Sequence, residues 1–306
     1  MGKRETVSSL IRKMDTELVR ERLFYLAQNP LPFRKVNYTL PGHVKSTLDE
    51  ADDYIAGQLG SWGYDVSRKG HQVQAFRCDT TKPKAKQFGS PEPDDPWYTA
   101  YNVYGKKPGA SLPDEIILVV SHKDSQSWVA SPGAFDNAAG TVGNMEVARA
   151  LSDYASERSI WFLYVNEEHW PWTSKGAARR AAQGGLNLVA VLNLDGLGAK
   201  GPDVREKVAR VNHTTPEGLK LAERIVGLND EYGLGLAMST HQHDGPRNDE
   251  GSFIQAGFNT AAHVGGVGYP QYHTEEDTPE KVDVENVTMA AQLCLATIVH
   301  LDREGV

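Results

Sequence analysis

Apolar positions along the chain switch repeatedly between two periods. Over residues 6–28 they recur at helical spacing, with Leu10, Leu18, Leu23 and Leu26 among them, and Asn29-Pro30 ends the run. A second helix is predicted from about residue 43 to residue 62, through Leu48, Ala51, Tyr54, Ile55 and Leu59, and is closed by Gly63. Beyond it the period drops to two. Residues 64–77 alternate as a strand, and residues 82–96, rich in proline, lysine and acid, read as a surface loop. Strands follow at 97–105 and 115–121, joined by the turn Lys107-Pro108-Gly109; the unbroken run IILVVS in the second marks a central strand. The remaining elements are a helix at 138–154, a strand at 159–166, a helix at 173–183, a strand at 188–194, a helix at 216–232, a strand at 258–264 and a closing helix at 284–301. Such alternation predicts a three-layer α/β/α sandwich on a mixed, mostly parallel central sheet, with an antiparallel edge around residues 64–105. No repeat and no linker interrupts it, so residues 1–306 are read as a single domain.

Composition alters this picture mainly by exclusion. The chain has 306 residues, 40% hydrophobic and 24% charged, an ordinary globular make-up. A net charge of −8 argues against nucleic acid or an anionic membrane as partner, since both attract basic surfaces. No segment reaches the roughly 18 apolar residues of a membrane span. The start MGKRETVSSLIRKMD is basic without a following apolar core and is not read as a signal peptide. Compartment stays open, cytoplasmic for the chain as it stands and extracytoplasmic if a leader has been removed, and so does oligomeric state. Cys78 and Cys294 are too isolated for a disulfide framework or a thiolate metal site, and are expected to be unpaired.

Candidate chemistry gathers where apolar strands stop. Ile160 to Val165 is an apolar, β-branched and aromatic run that ends at the adjacent acids Glu167 and Glu168. Ligands collect at the carboxyl ends of strands in open α/β sheets, and neighbouring acids there repel unless a cation or proton relieves them. After IILVVS comes His122-Lys123-Asp124, in which a carboxylate can orient a metal-binding imidazole. Asp136 lies in the small-residue turn GAFDNAAG, Asp195 ends the next buried strand in NLDGLG, and His273 lies in YHTEEDT before the last helix. Each is ordinary alone, as a cap, a turn former or a loop residue. Together His122, Asp136, Glu168, Asp195 and His273 form a mixed imidazole and carboxylate set suited to zinc, with cobalt or manganese as substitutes. Five ligands exceed the needs of one catalytic zinc and fit two metals sharing a bridging carboxylate.

The ordered motifs SHKDS, GAFDNAAG, NEE, NLD and YHTEEDT resemble those of the M28 family of co-catalytic zinc peptidases, from the helix near His43 to the end. The resemblance implies the zinc-dependent exopeptidase fold and two Zn²⁺ ions. It implies that Asp136 bridges the metals, that His122 and Asp195 complete one site and Glu168 and His273 the other, and that Asp124 orients His122. Glu167 is then the general base acting on metal-bound water, and Tyr272 looks like the family's donor to the tetrahedral oxyanion. A cis peptide between Asp136 and Asn137 is also implied. The expected activity is that of a metal-dependent exopeptidase on peptides, preferentially an aminopeptidase; a carboxypeptidase, a dipeptidase or a glutaminyl-cyclase-like acyltransferase is the alternative. Cyclases of the family use a single zinc, which the retention of both His122 and Asp195 argues against. A binding module that has lost its ligands is disfavoured because all five are present.

Three stretches depart from the family pattern. His169-Trp170-Pro171-Trp172 replaces a glycine- and serine-containing turn, so its tryptophans either line the substrate pocket or pack beneath the loop. Glu250 stands where a histidine usually follows the aspartate, here Asp249, which puts the local contacts in doubt. His241 and His243 are additional histidines, read either as an accessory contact or as part of a polar loop.

Overall fold

The computed structural model describes residues 2–305. Two helices, α1 (Lys3–Ile11) and α2 (Thr16–Ala27), fill the first helical stretch, which is therefore not continuous. Asp15 makes the break: its carboxylate accepts the amides of Glu17 and Leu18 and starts a new helix as an N-cap. In the same way Ser46 caps α3 (Thr47–Ser61) by accepting from Asp49 N at 3.1 Å, so this helix begins later than its periodicity suggests.

The strands are β1 (Asp65–Ala75), β2 (Arg77–Cys78), β3 (Phe88–Gly89), β4 (Tyr98–Lys107), β5 (Leu112–His122), β6 (Arg158–Val165), β7 (His169–Trp170), β8 (Asn187–Leu194), β9 (Val208–His213), β10 (Ala237–Gln242) and β11 (Ala261–Gly265). Nine of them form one sheet in the order β10-β9-β11-β8-β5-β6-β4-β1-β7. Its centre, β11-β8-β5-β6, is parallel throughout. One flank, β4, β1 and β7, is antiparallel, as the hairpin-like pattern predicts. The other flank was not anticipated: β9 runs antiparallel to β11, and β10 parallel to β9. Neither strand carries a clear apolar alternation, because β10 is mostly exposed and β9 buries Asn212 and His213.

The remaining helices are α4 (Gly140–Ala150), α5 (Thr173–Gln183), α6 (Pro216–Tyr232), α7 (Asn248–Gln255) and α8 (Val284–Glu304). Helices α1, α2, α4, α6 and α8 cover one face of the sheet, and α5 and α7 cover the other, giving the expected three layers. The run IILVVS explains itself: Ile117 and Val119 join the first core, and Ile116, Leu118 and Val120 join the second. By length and composition α8 alone among the described helices could cross a membrane, but 83% of its apolar window is buried in the core. Cys294 is buried in α8, Cys78 is exposed, and both are free. The loop read at 82–96 contains β3, which pairs with β2 and so fixes the position of Phe88.

The segment between α2 and α3 is locked by Arg34, whose side chain is wholly buried. Its guanidinium donates to the carbonyls of Lys123 (2.6 Å), Pro132 (2.8 Å), Gly133 (2.8 Å) and Leu26. Burial lowers its pKa to about 10, with Asp124, Asp277 and Asp136 opposing the shift, so the group stays charged at neutral pH. One side chain thus ties the end of α2 to both ends of the loop that follows β5. Arg34→Met should strand these carbonyls and cost about 3 kcal/mol or more. Urea unfolding of the two proteins checks this; an equal midpoint would show that the loops hold without it.

Candidate metal centre

Parallel pairing brings the motifs together. His122 at the end of β5 lies in register with Val165 at the end of β6, so Asn166-Glu167-Glu168 begins beside it. On the other side of β5, β8 ends at Leu194 and delivers Asp195 to the same crevice. Asp136 enters from the turn before α4 and His273 from the loop before α8. Donor atoms of His122, Asp136 and Asp195 cluster within 4.8 Å of one another, and so do those of Asp136, Glu168 and His273. Asp136 belongs to both clusters: Oδ1 lies 3.0 Å from His122 Nε2, and Oδ2 lies 3.0 Å from His273 Nε2. The outer acids complete each half, with Asp195 Oδ1 at 3.5 Å from His122 Nε2 and Glu168 Oε1 at 3.4 Å from His273 Nε2.

The two imidazoles are set as ligands would be. Nδ1 of His122 faces Asp124 Oδ1 at 3.2 Å, and Nδ1 of His273 donates to Ala85 O at 3.1 Å, which leaves each Nε2 lone pair inward. His273 Nε2 is buried and makes no hydrogen bond, although two carboxylates flank it. The crevice favours positive charge: burial lowers the pKa of His273, but Glu168 and Asp136 outweigh it and push it up to about 10, so these carboxylates hold a proton on the ring wherever a cation does not take its place. Burial and then Asp249 raise Glu167 well above the carboxylate range, and burial followed by Asp136 raises Glu168. A crevice this rich in buried acid, with imidazole nitrogens directed into it, has a donor set that suits divalent metal ions.

The turn carrying Asp136 is specified by its small residues. Its six residues, Ala134–Ala139, form a wide turn in which Asp136 and Asn137 leave helical geometry, and the peptide between them is cis, as expected. Helix α4 therefore starts only at Gly140, two residues later than predicted. Gly133 has φ +57°, and a Cβ there would lie 2.5 Å from Asp136 O. At Gly140 a Cβ would lie 2.2 Å from both Asn137 Oδ1 and Leu194 O. Asp277 holds the turn from the far side, accepting Phe135 N (2.8 Å), Asp136 N (3.2 Å) and the hydroxyl of Tyr269 (3.0 Å). Gln126 donates to Asp136 Oδ2 at 3.0 Å.

Asp124 does more than face His122. Its two oxygens also accept Glu167 N (3.0 Å), Glu168 N (2.8 Å) and His169 Nδ1 (2.7 Å). His169 in turn accepts from Val36 N at 3.3 Å, so the residue opening the unusual HWPW stretch is a buried brace. Sequence reasoning weighed only the tryptophans there. Trp170 is exposed, and it stands near Phe76, which packs with Phe88 and Trp128 to form an aromatic wall reaching His273. Trp172 is half-buried, and Lys175 lies over both indoles.

Glu167 has a buried Oε2 without a hydrogen-bond partner. Asp249 is buried too, lacks partners for both oxygens and is pushed up to about 7 mainly by burial. Tyr272 stacks on His273 at 3.6 Å with 45% of its surface exposed. Glu250 accepts from Asn193 at 2.8 Å, and His263 reaches the carbonyl of Asp195 at 2.9 Å. Both brace the end of β8. His241 and His243 pack edge to face at 4.9 Å and belong to neither cluster. The sequence offered no signal for Arg34, whereas Asp277 lay inside a quoted motif without an assigned role.

The sequence model of peptidase family M28 matches residues 102–298, well over half of the chain. The chain belongs to peptidase family M28. Among its relatives, aminopeptidase YwaD of Bacillus subtilis (strain 168) is 29% identical over 210 residues, which cover 65% of this M28 chain and 44% of that protein. The M28 chain thus spans less than half of that relative's length. The fold resembles that of a zinc aminopeptidase from Bacillus subtilis, with TM-score 0.72, 15% identity, and coverage of 95% and 96% of the two chains. A glutaminyl cyclase from Bacteroides thetaiotaomicron gives TM-score 0.72 at 16% identity, covering 94% and 98%.

Asp124→Asn replaces one acceptor oxygen by a donor and misaligns His122 and the Glu167-Glu168 turn. Zinc affinity should fall by about 10- to 100-fold. A competition titration against a chelator checks this, and unchanged affinity would mean that the network is dispensable for the ligands.

Proposed function

We propose that this chain is a zinc-dependent aminopeptidase in which His122, Asp136 and Asp195 hold one ion and Asp136, Glu168 and His273 hold a second. The observation that carries the reading is the single carboxylate of Asp136 shared between two inward-facing imidazoles, with Glu167 beside them and uncommitted. The zinc-dependent relative in fold supports the choice of metal. The chain is read as one domain, supported by a single sheet from which the strand-end donors project.

Ions bound there would polarise the scissile carbonyl and lower the pKa of a water to about 7. Glu167 takes a proton from the attacking water and delivers it to the leaving amine. Tyr272 remains protonated, since burial of its inner edge and the carboxylates of Asp136 and Glu168 raise its pKa, and it donates to the developing oxyanion. Asp124 keeps His122 and the strand-end turn aligned throughout.

An amino-terminal preference is supported by the aminopeptidases among the relatives in sequence and fold, and the buried Asp249, which is not among the proposed ligands, adds a carboxylate beside Glu167. The aromatic wall of Phe88, Trp128 and Trp170 suits an apolar first residue. The cyclase on the same fold is the second reading, and it is disfavoured because both halves of the donor set are complete here.

Glu167→Gln should lower kcat by at least about a hundredfold while metal analysis still finds close to two zinc ions per chain; retained turnover would place the base elsewhere. Free peptides with leucine or phenylalanine first should be cut from the amino end and their N-acetylated forms spared. Cleavage confined to the blocked peptides would exclude an aminopeptidase.

A further inference from the structure

A second cavity lies on the α5 face of the sheet, away from the metal-type clusters. Leu118, Trp161, Leu163 and Leu188 form its floor, and Phe253 and Ala181 of the covering helices its walls. The volume is about 260 Å³, room for roughly nine water-sized groups at about 30 Å³ each. Its lining is mostly apolar, but its rim carries Lys69, Lys106 and Arg180.

These three cations are unusual in a chain with 40 acidic and 32 basic residues. Among the described residues none of the three has a carboxylate oxygen within 4.0 Å. Asp65, cross-strand from Lys106, acts on it only at longer range. Lys106 is instead held over the Trp161 ring, 4.0 Å from its centroid and facing the cavity it lines. Arg180 donates to His71 Nε2 at 2.6 Å, so its nearest polar partner is a neutral ring. Burial, followed by Arg180 and Lys123, lowers His71 to about 4, which keeps that ring uncharged at neutral pH. Apolar walls favour a hydrocarbon body, and three cations without a contacting carboxylate at the mouth favour an anionic head.

We propose that this cavity is a binding site for a small amphiphilic anion, an acyl chain or aryl group carrying one carboxylate, with its body against Trp161 and Leu163 and its head between Lys69, Lys106 and Arg180. The site is separate from the metal centre, and the proposal does not rest on the peptidase reading.

Isothermal titration of the full chain with decanoate, below its micellar concentration, tests it, with decanol and decyltrimethylammonium as controls. One saturable site for decanoate is expected, with the neutral and cationic analogues at least tenfold weaker. The double variant Lys106→Gln, Arg180→Gln keeps the apolar stems and should weaken decanoate at least tenfold. Ala181→Leu fills the cavity without touching charge and should weaken it similarly. The absence of a saturable site, equal affinity for either analogue, or unchanged affinity in the double variant would overturn the proposal. A dimer that buries this face and excludes decanoate would overturn it as well.

Discussion

Four donors converge on the carboxylate of Asp124, and they come from three places in the chain. His122 is two residues away, Glu167 and Glu168 give their amides from the end of the next strand, and His169 gives a ring nitrogen from the stretch that follows. Burial opposes the charge on Asp124, but hydrogen bonds to His122 and His169 keep it ionised. A buried anion of this kind fixes geometry because none of its partners can leave without stranding it. The distance between the β5 and β6 halves of the site is therefore set by hydrogen bonds that no substrate needs to touch.

Beneath that network the chain solves a problem of like charge. Parallel pairing of β6, β5 and β8 forces acidic strand ends into one crevice. Arg34 and Asp277 grip the loops from behind, and Asp277, pushed up to about 7 chiefly by burial, is another acid kept out of water. His273 sits at φ +59°, a backbone region that costs a non-glycine residue about 1 to 2 kcal/mol and persists only where its surroundings demand it. These features describe a site organised in advance for cations rather than one stabilised by its own contacts.

Much of this was legible in the residues. IILVVS announced a strand buried on both faces, and five separated motifs announced donors that the fold brings within a few ångströms. What escaped had no apolar signature. Strand β9 buries Asn212 and His213, and α7 buries Asp249, Glu250 and Ser252, so both hide polar groups where a core pattern would be sought. The break at Asp15 was invisible to periodicity because a cap interrupts a helix without changing which side of it is apolar. Arg34 could not be found at all, since three of its four acceptor carbonyls lie in a loop 89 to 99 residues downstream.

The proline- and lysine-rich loop after β2 looked like surface filler. Yet Ala85 within it accepts the Nδ1 proton of His273, and Phe88 packs edge to face against the same ring. The loop therefore selects the tautomer of a candidate ligand from outside the sheet altogether. A change in its length or sequence is therefore a change to the inner chemistry, made without touching any residue that lines the crevice.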